Sequence, residues 1–248
     1  MNEIDWCINY LKEYNHIIYN LGDTKENQFR SLMNITMPYD LSDEYYEKEE
    51  KVLKSILSRK TIIDIIDFDN GISIAKGDIT LFKVDVIVNA CNSKLLGCFQ
   101  PLHKCVDNAI HSFAGLKVRR DLMEIMDNQG HDEANGLCKV TKGYNLPSKY
   151  IFHTVGPIYN NLKQDAIDLR NCYYNSLKMA DDMKLESIAF PSISTGIFGY
   201  PIEKASEIAI NTAKEYLEKE NKNLKRIVFV LFSEGDYSVY ERRINKAY

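Results

Sequence analysis

The chain has 248 residues, of which 45% are hydrophobic and 27% are charged, as in globular proteins with a sizeable core. Its formal net charge of −4 argues against a nucleic-acid-binding surface, because contact with a phosphate backbone usually requires a concentrated basic face. No run approaches the roughly 20 apolar residues that span a bilayer, and the acidic start at residues 1–5 is unlike a signal peptide. We therefore expect a cytoplasmic protein without nucleic-acid or membrane partners.

Residues 1–60 have the pattern of polar helices. Apolar residues recur at helical spacing between Ile4 and Leu11 and again at 52–57. Ser42 is a typical helix N-cap, and the acidic residues after it suit the helix dipole. The charged run at 47–51 is typical of a solvated helix face. We predict a helical extension, and the sequence does not indicate its task.

The pattern changes at residue 61. A β-branched run covers 61–68, and Asn70-Gly71 predicts a hairpin turn into a strand at 72–75. A nearly continuous apolar run at 84–90 is typical of a buried parallel strand. Further strands are predicted at 137–140, 150–155, 187–190 and 227–231, and helices at 106–126, 165–183, 201–218 and 237–244. Alternating strands and helices indicate an α/β fold whose sheet is covered on both faces.

Two thiols and an imidazole fall within one short loop, at Cys98, His103 and Cys105. These are ligand types that Zn²⁺ favours, and three protein ligands leave one tetrahedral position open. A closed structural site usually recruits a fourth residue from a second Cys-x-x-Cys pair, which this chain lacks. The loop therefore predicts an open zinc site that faces a ligand. The rival reading is a thiol nucleophile at Cys98 or Cys105, activated by a helix N-terminus.

Three polar or glycine-bearing stretches follow predicted strands, at 77–80, 89–93 and 191–200. In open α/β sheets ligands bind at the carboxyl ends of strands, so we expect these stretches to converge on one crevice. Backbone N–H groups in the loop at 194–200 can form an anion site, helped by the following helix. The loop is not a Walker motif, because no Gly-Lys-Ser/Thr follows it.

A family resemblance is carried by five stretches in collinear order: Gly-Asp-Ile-Thr at 77–80, Val-Ile-Val-Asn-Ala-Cys-Asn-Ser at 86–93, Val-Asp-Asn-Ala-Ile-His at 106–111, His-Thr-Val-Gly-Pro at 153–157 and Ser-Thr-Gly-Ile-Phe-Gly-Tyr-Pro at 194–201. Together they resemble a macrodomain, the ADP-ribose-binding α/β/α fold. Common hydrolytic macrodomains carry a run of glycines where this chain has its cysteine loop. The substitution resembles the zinc-dependent branch found in microbes, which also has an N-terminal helical extension.

The resemblance implies a three-layer α/β/α macrodomain with a mixed central sheet at 61–248, preceded by the helical extension at 1–60. It also implies a zinc-dependent hydrolase that removes mono-ADP-ribose from a protein side chain. The implied partners are ADP-ribose and a mono-ADP-ribosylated protein, such as a lipoyl-carrier protein modified by a sirtuin-type transferase. The main alternative is a reader module that binds ADP-ribose, cleaves nothing and uses its zinc structurally. Hydrolysis of free ADP-ribose derivatives is a further enzymatic possibility.

The resemblance also implies which residues form the site. The implied catalytic residues are Asp107 and Asn92, and the implied zinc ligands are Cys98, His103 and Cys105. The residues implied to bind ADP-ribose are Asp78, Ile79, Asn89, Asn92, Ser194, Thr195, Gly196, Ile197, Phe198, Gly199 and Tyr200. An ionised carboxylate only accepts hydrogen bonds, so Asp78 suits the exocyclic amine of adenine. Without the resemblance, Asp78 is an ordinary turn aspartate and Asp107 an ordinary helix-N-terminal carboxylate.

Several assignments have two readings. Asn89 either contacts the distal ribose or shapes the strand-end turn, and Cys91 is either a packed residue or a fourth zinc ligand. His111 is expected to pack or to make a structural hydrogen bond rather than to act in catalysis, and His153 is expected to be a core histidine with satisfied hydrogen bonds. Phe232 either stacks on adenine or packs in the core. In the expected mechanism zinc orients the distal ribose, Asp107 is a general base or stabilises an oxocarbenium ion, and the bond cleaved is a carboxylate ester.

Overall fold

The computed structural model describes residues 2–64 and 71–246. Its first elements are three helices, α1 (Glu3–Tyr14), α2 (Lys25–Ile35) and α3 (Asp43–Leu57). Each begins at a side-chain cap, because Asn2, Thr24 and Ser42 accept a hydrogen bond from a backbone N–H of the first turn. The predicted N-terminal helices are therefore present, and Ser42 caps the third of them.

The described part of the chain contains a six-stranded mixed sheet. Its strands are β1 (Ile72–Lys76), β2 (Val86–Cys91), β3 (Cys138–Lys142), β4 (Tyr150–Val155), β5 (Ser187–Phe190) and β6 (Arg226–Leu231). Their order is β1-β6-β5-β2-β4-β3, with β3 alone antiparallel to its neighbour. The central strands are mostly apolar and buried because both faces of the sheet are covered. The predicted mixed sheet is confirmed.

Two helical layers cover the sheet. The later helices of the chain are α4 (Val106–Ala114), α5 (Leu116–Gln129), α6 (Lys163–Asp182), α7 (Ile202–Lys219) and α8 (Glu234–Lys246). Helices α6, α7 and α8 bury one core with Phe152, Phe190 and Phe229. Helices α4 and α5 bury another against Ile87 and Ile151. The α/β/α architecture is confirmed, and none of the described helices is long and apolar enough to cross a membrane.

The single helix predicted at 106–126 is divided in two. Gly115 lies between α4 and α5 with a φ of 97°, a left-handed conformation that glycine adopts without a Cβ clash. The Leu116 N–H that begins α5 donates to both carboxylate oxygens of Glu49, each at 3.1 Å. Glu49 is only 1% exposed, so the prediction of a solvated face at 47–51 is wrong at this position. Its carboxylate is buried because it caps a helix of the neighbouring layer.

The hairpin predicted at Asn70-Gly71 depends largely on residues 65–70, which lie outside the described residues. Of the β-branched run at 61–68, the described residues 61–64 contain one isolated parallel bridge, between Ile63 and Phe82. Strand β1 instead pairs in parallel with β6.

The N-terminal helices pack directly on the sheet-containing part of the chain. Leu116 is buried in the same apolar cluster as α1, α2 and α3, and Phe113 packs against it. Arg119 on α5 is 1% exposed, and its guanidinium donates to the carbonyl oxygens of Leu96, Met33 and Thr36. These contacts place α2 beside the loop that joins β2 to α4.

Candidate active site

One cleft of about 670 Å³ lies at the carboxyl ends of the strands and collects residues from all three predicted strand-end stretches. Of the predicted site residues, those that line it are Asp78, Ile79, Asn92, Cys98, His103, Cys105, Asp107, Ser194, Thr195, Gly196, Ile197 and Phe198. The parallel strands bring these stretches together because their carboxyl ends share one edge of the sheet. Asn89, Gly199 and Tyr200 lie outside the lining of the cleft.

At one side of the cleft, Asp78 follows β1. Its Oδ1 accepts hydrogen bonds from the N–H and the hydroxyl of Thr80, at 3.0 and 2.7 Å. Its Oδ2 has no hydrogen-bond partner among the described residues and is therefore available to a ligand donor. Phe232, which follows β6, also lines the cleft. Its side chain is 76% exposed, so the reading of Phe232 as a core residue is wrong.

The loop at 194–200 closes on itself through two backbone bonds, from Gly199 N–H to Gly196 O at 3.0 Å and from Tyr200 N–H to Ser194 O at 2.9 Å. The backbone N–H groups of residues 195–198 have no acceptor among the described residues, so the loop offers a row of donors to an anion. Tyr200 is buried and its ring lies 4.8 Å from that of Tyr159. It therefore lies behind the loop, whereas Phe198 faces the cleft.

The two asparagines at the end of β2 differ in position. Asn92 lines the cleft, and its side-chain amide donates to Gly97 O at 3.2 Å and accepts from Lys94 N–H at 3.0 Å. Asn89 is fully buried, because it lies on the strand beneath the cleft. Its amide donates to Asp107 Oδ1 at 2.8 Å. Asn89 thus positions the Asp107 carboxylate and does not line the ligand site.

Asp107 lies in the first turn of α4, where it is 5% exposed and lines the cleft. Burial raises the pKa of its carboxyl to about 6, although the Asn89 hydrogen bond and the charge of Arg119 oppose the shift. The raised pKa makes Asp107 a stronger base than an exposed aspartate, while leaving it largely ionised at neutral pH.

Two buried histidines lie near this carboxylate. His111 Nε2 is 3.5 Å from Asp107 Oδ1, and burial holds the pKa of His111 well below its usual value. The two ring nitrogens of His153 are hydrogen-bonded, Nδ1 to Asn89 Nδ2 at 3.2 Å and Nε2 to Thr141 Oγ1 at 2.9 Å. Burial lowers the pKa of His153 to about 3. Both rings are neutral at pH 7. His153 has hydrogen-bond partners on both nitrogens, as expected of a core histidine. His111 is a packing residue, because neither of its ring nitrogens has a hydrogen-bond partner among the described residues.

The predicted metal ligands come together. Three ligand atoms, one each from Cys98, His103 and Cys105, lie within 4.8 Å of one another. Cys98 Sγ is 3.6 Å from His103 Nδ1. Tetrahedral zinc with ordinary Zn–S and Zn–N bonds would separate such a pair by about 3.6 Å, so the donor set fits the ion. Within the described ranges no fourth metal-ligating side chain joins the cluster. Cys91 instead donates to Thr154 O at 3.2 Å.

Cys105 is also the N-cap of α4, and its Sγ accepts from Asn108 N–H at 3.3 Å. Burial nevertheless raises the pKa of its thiol, so the free side chain is not a thiolate at pH 7. This gives the thiol-nucleophile reading no support. A divalent cation reverses this preference, since a coordinated thiol is deprotonated.

The sequence prediction missed two cationic residues that the N-terminal extension contributes to the cleft. Arg30 on α2 and Lys60 after α3 both line it, and Arg30 Nη2 donates to the carbonyl of His103 at 3.3 Å. No local motif indicates either residue, because their relation to the site depends on how the N-terminal helices pack.

Comparison with known proteins identifies the relatives of this chain. The model of the Macro domain family matches residues 88–209. A protein-ADP-ribose hydrolase of Staphylococcus aureus (strain MRSA252) is 43% identical over 225 residues, which cover 88% of this chain and 84% of the relative. A protein-ADP-ribose hydrolase of Treponema medium is 41% identical over 229 residues, covering 89% and 87%. The solved Oceanobacillus iheyensis macrodomain with ADP is 42% identical, with a TM-score of 0.65 over 70% of this chain and 90% of that one.

Proposed function

The chain belongs to the Macro domain family, and on that premise we propose that it is a hydrolase that releases ADP-ribose from a mono-ADP-ribosylated protein, with Zn²⁺ as its cofactor. The names of its relatives support hydrolysis of protein-linked ADP-ribose, and a relative solved with ADP supports a nucleotide in the cleft. The observation that carries the proposal is that one cleft is lined by the Asp107 carboxylate, the thiol–imidazole cluster and the loop at 194–200.

The ligand would bind through three kinds of contact. Asp78 Oδ2 would accept from the exocyclic amine of adenine, and the free N–H groups of residues 195–198 would bind the diphosphate. Phe232, exposed in the same cleft, would stack on the base. These contacts hold the nucleotide in place, so that its binding energy fixes the orientation of the distal ribose.

Asp107 would carry the proton transfer. Its carboxylate, held by Asn89, would take a proton from a water that attacks the anomeric carbon of the distal ribose. The bond from that carbon to the oxygen of the modified side chain breaks, and the side chain leaves as a carboxylate. Zn²⁺ held by Cys98, His103 and Cys105 would supply a Lewis acid that orients and polarises the ribose.

The finer identity of the substrate is also a proposal. The resemblance to the zinc-dependent microbial branch leads us to propose a lipoyl-carrier protein, modified by a sirtuin-type transferase, as the ADP-ribosylated protein. A lipoyl-carrier protein and an unrelated acceptor, both ADP-ribosylated on a carboxylate, would be compared as substrates. Faster release from the lipoyl-carrier protein would support the assignment, and equal rates would argue for a general hydrolase.

The central test follows release of ADP-ribose from a mono-ADP-ribosylated protein, with and without a zinc chelator. We expect chelation to abolish release and added Zn²⁺ to restore it, while the far-UV circular dichroism stays unchanged. His103→Ala should lose release as well. Cys138→Ala, which changes a thiol outside the cluster, should retain it. Release that persists in folded, zinc-free protein would contradict the zinc mechanism. Tight ADP-ribose binding without any release would leave only a reader module.

A further inference from the structure

The loop at 98–105, here called the metal loop, contains an unusual backbone conformation. Leu102 has a φ of 55°, in the left-handed region that residues with a Cβ rarely adopt. A turn bond joins His103 N–H to Gln100 O at 3.2 Å. The orientation of the His103 imidazole thus depends on a strained residue immediately before it, and such a conformation persists only where neighbouring groups enforce it.

Asn34, from α2 of the N-terminal extension, is one of those groups. It is 1% exposed, and its Oδ1 accepts from Leu102 N–H at 3.0 Å. Its Nδ2 donates to Ser112 Oγ on α4 at 2.9 Å. The side chain therefore joins the left-handed residue of the metal loop to the helix that follows the loop.

Arg30, one helical turn earlier on α2, holds the adjacent part of the loop. Its Nη2 donates to His103 O at 3.3 Å and to Asn108 Oδ1 at 2.7 Å. Asn108 in turn donates from Nδ2 to Gln100 O at 3.0 Å. Arg30 and Asn34 thus both contact residues around His103, although they lie more than 60 positions away in the sequence.

We infer that α2 is a working part of the metal site: Asn34 and Arg30 are positioning residues that hold His103 in reach of Cys98 and Cys105. The inference rests on the proposed zinc function. On this inference the N-terminal extension stabilises a conformation of the metal loop that residues 98–105 do not favour by themselves. Groups that support metal ligands in this way typically change metal affinity by about 10–100-fold when they are removed.

The test compares Asn34→Ala, Arg30→Ala and Arg30→Lys with the wild-type protein. Zinc affinity is measured by competition with a chromogenic chelator, and amide hydrogen exchange is followed at Leu102 in the metal-free protein. We expect both alanine variants to bind zinc about 10–100-fold more weakly, and Asn34→Ala to lose protection at Leu102. Arg30→Lys, which keeps the charge but not the paired donors, should recover only part of the affinity.

Arg59→Ala is the matched control, because Arg59 is exposed and pairs with Glu26 on the surface. It should leave zinc affinity and Leu102 exchange unchanged. Unaltered zinc affinity and unaltered exchange in folded Asn34→Ala would overturn the inference. If that variant fails to fold, the two Arg30 variants decide the matter through zinc affinity. Wild-type protein that binds no zinc would refute the proposed cofactor, whereas exchange at Leu102 would still report whether α2 holds the loop.

Discussion

The two oxygens of Asp78 serve different purposes. Oδ1 caps the short turn at Ile79–Leu81 through Thr80, and Oδ2 is open to the cleft. We predict that Asp78→Asn keeps the cap but presents a donor where adenine also donates. ADP-ribose affinity should fall by about 10–100-fold, as expected for loss of a charged hydrogen bond, while the melting temperature changes little. Isothermal titration would measure the loss, and unchanged affinity would exclude Asp78 as the adenine contact.

Asp107 is the residue whose removal should separate binding from turnover. Asp107→Asn preserves shape at this buried position but removes the base. We predict that release of ADP-ribose falls by about 100–10,000-fold while the affinity for ADP-ribose changes little. Single-turnover kinetics would measure the first and titration the second. Asp182→Asn, at an exposed position paired with Lys178, is the control and should keep full turnover. Comparable turnover in Asp107→Asn would rule out Asp107 as the base.

At the scale of elements, the burial of Glu49, which caps α5, makes stability depend on pH. Burial raises the pKa of Glu49 from 4.5 to about 7, so the folded state binds this proton more tightly than the unfolded state. Stability should therefore decrease as pH rises from about 4.5 to about 7 and level off above it. Over that range the Glu49 contribution is about 3 kcal/mol. Urea unfolding of wild-type protein and Glu49→Gln, measured from pH 5 to 8, should reveal it as a difference in slope.

The difference in slope between wild-type protein and Glu49→Gln isolates the contribution of the Glu49 carboxyl to the pH dependence of stability. Tyr45, Lys117 and Arg119, which all act on Glu49, are present in both, as is Asp107, whose raised pKa produces a slope of the same sign. Glu47→Gln, at an exposed position of α3, should retain the wild-type slope. Parallel curves for wild-type protein and Glu49→Gln would show that Glu49 is ionised throughout this pH range.

Local patterns predicted the strands better than the helix joint. The apolar runs of β2, β4 and β6 are long enough to be recognised, because strands covered on both faces have few polar positions. The break at Gly115 was missed, since Val106, Ile110 and Phe113 continue a helical period up to it. Glu49 was misread for a related reason. A glutamate in a charged run normally faces solvent. Its burial is stabilised by donors from the Tyr45 hydroxyl, one helical turn earlier, and from the Leu116 amide, far along the chain.

At the scale of the whole molecule, the extension and the macrodomain share one apolar cluster through Leu116 and Phe113, reinforced by Arg119. We predict that they unfold together. Trp6 in α1 is the single tryptophan of the sequence and stacks on Tyr10 at 5.1 Å, so its fluorescence reports the extension alone. Far-UV circular dichroism reports the whole chain. The two urea transitions should coincide, and ADP-ribose should move both to higher urea by the same amount.

Weakening the shared interface should separate the two signals. Arg119→Lys cannot donate to all three carbonyls that Arg119 reaches, so the tryptophan transition should move to lower urea than the circular dichroism transition. Arg170→Lys, which alters a surface pair with Glu215, should leave them together. Separate transitions in the wild-type protein would mean that the extension is an independent unit.

How much of the candidate site could be predicted from the sequence depends on which of its contacts come from the packing of the whole molecule. The rule that ligands meet the carboxyl ends of parallel strands led to the cleft, and the spacing of Cys98, His103 and Cys105 led to the cluster that the structure brings together. Asn89 had two readings because the sequence gives no direction for a side chain, and the structure shows it buried beneath the cleft against Asp107. Arg30 and Asn34 could not have been found, since only the packing of α2 brings them to the loop.

The joint between α4 and α5 has a consequence for how this protein can change over generations. A Cβ at position 115 would lie 2.6 Å from Glu49 Oε2, on a backbone with a φ of 97°. Any replacement of Gly115 therefore collides with the carboxylate, and shortening Glu49 alone leaves the Leu116 amide unpaired. Each change alone should therefore lower the stability of the fold, so we expect Gly115 and Glu49 to be retained together. The frequency with which Gly115 and Glu49 are both retained in a mutagenised population would report how strongly the fold depends on the contact between the extension and α5.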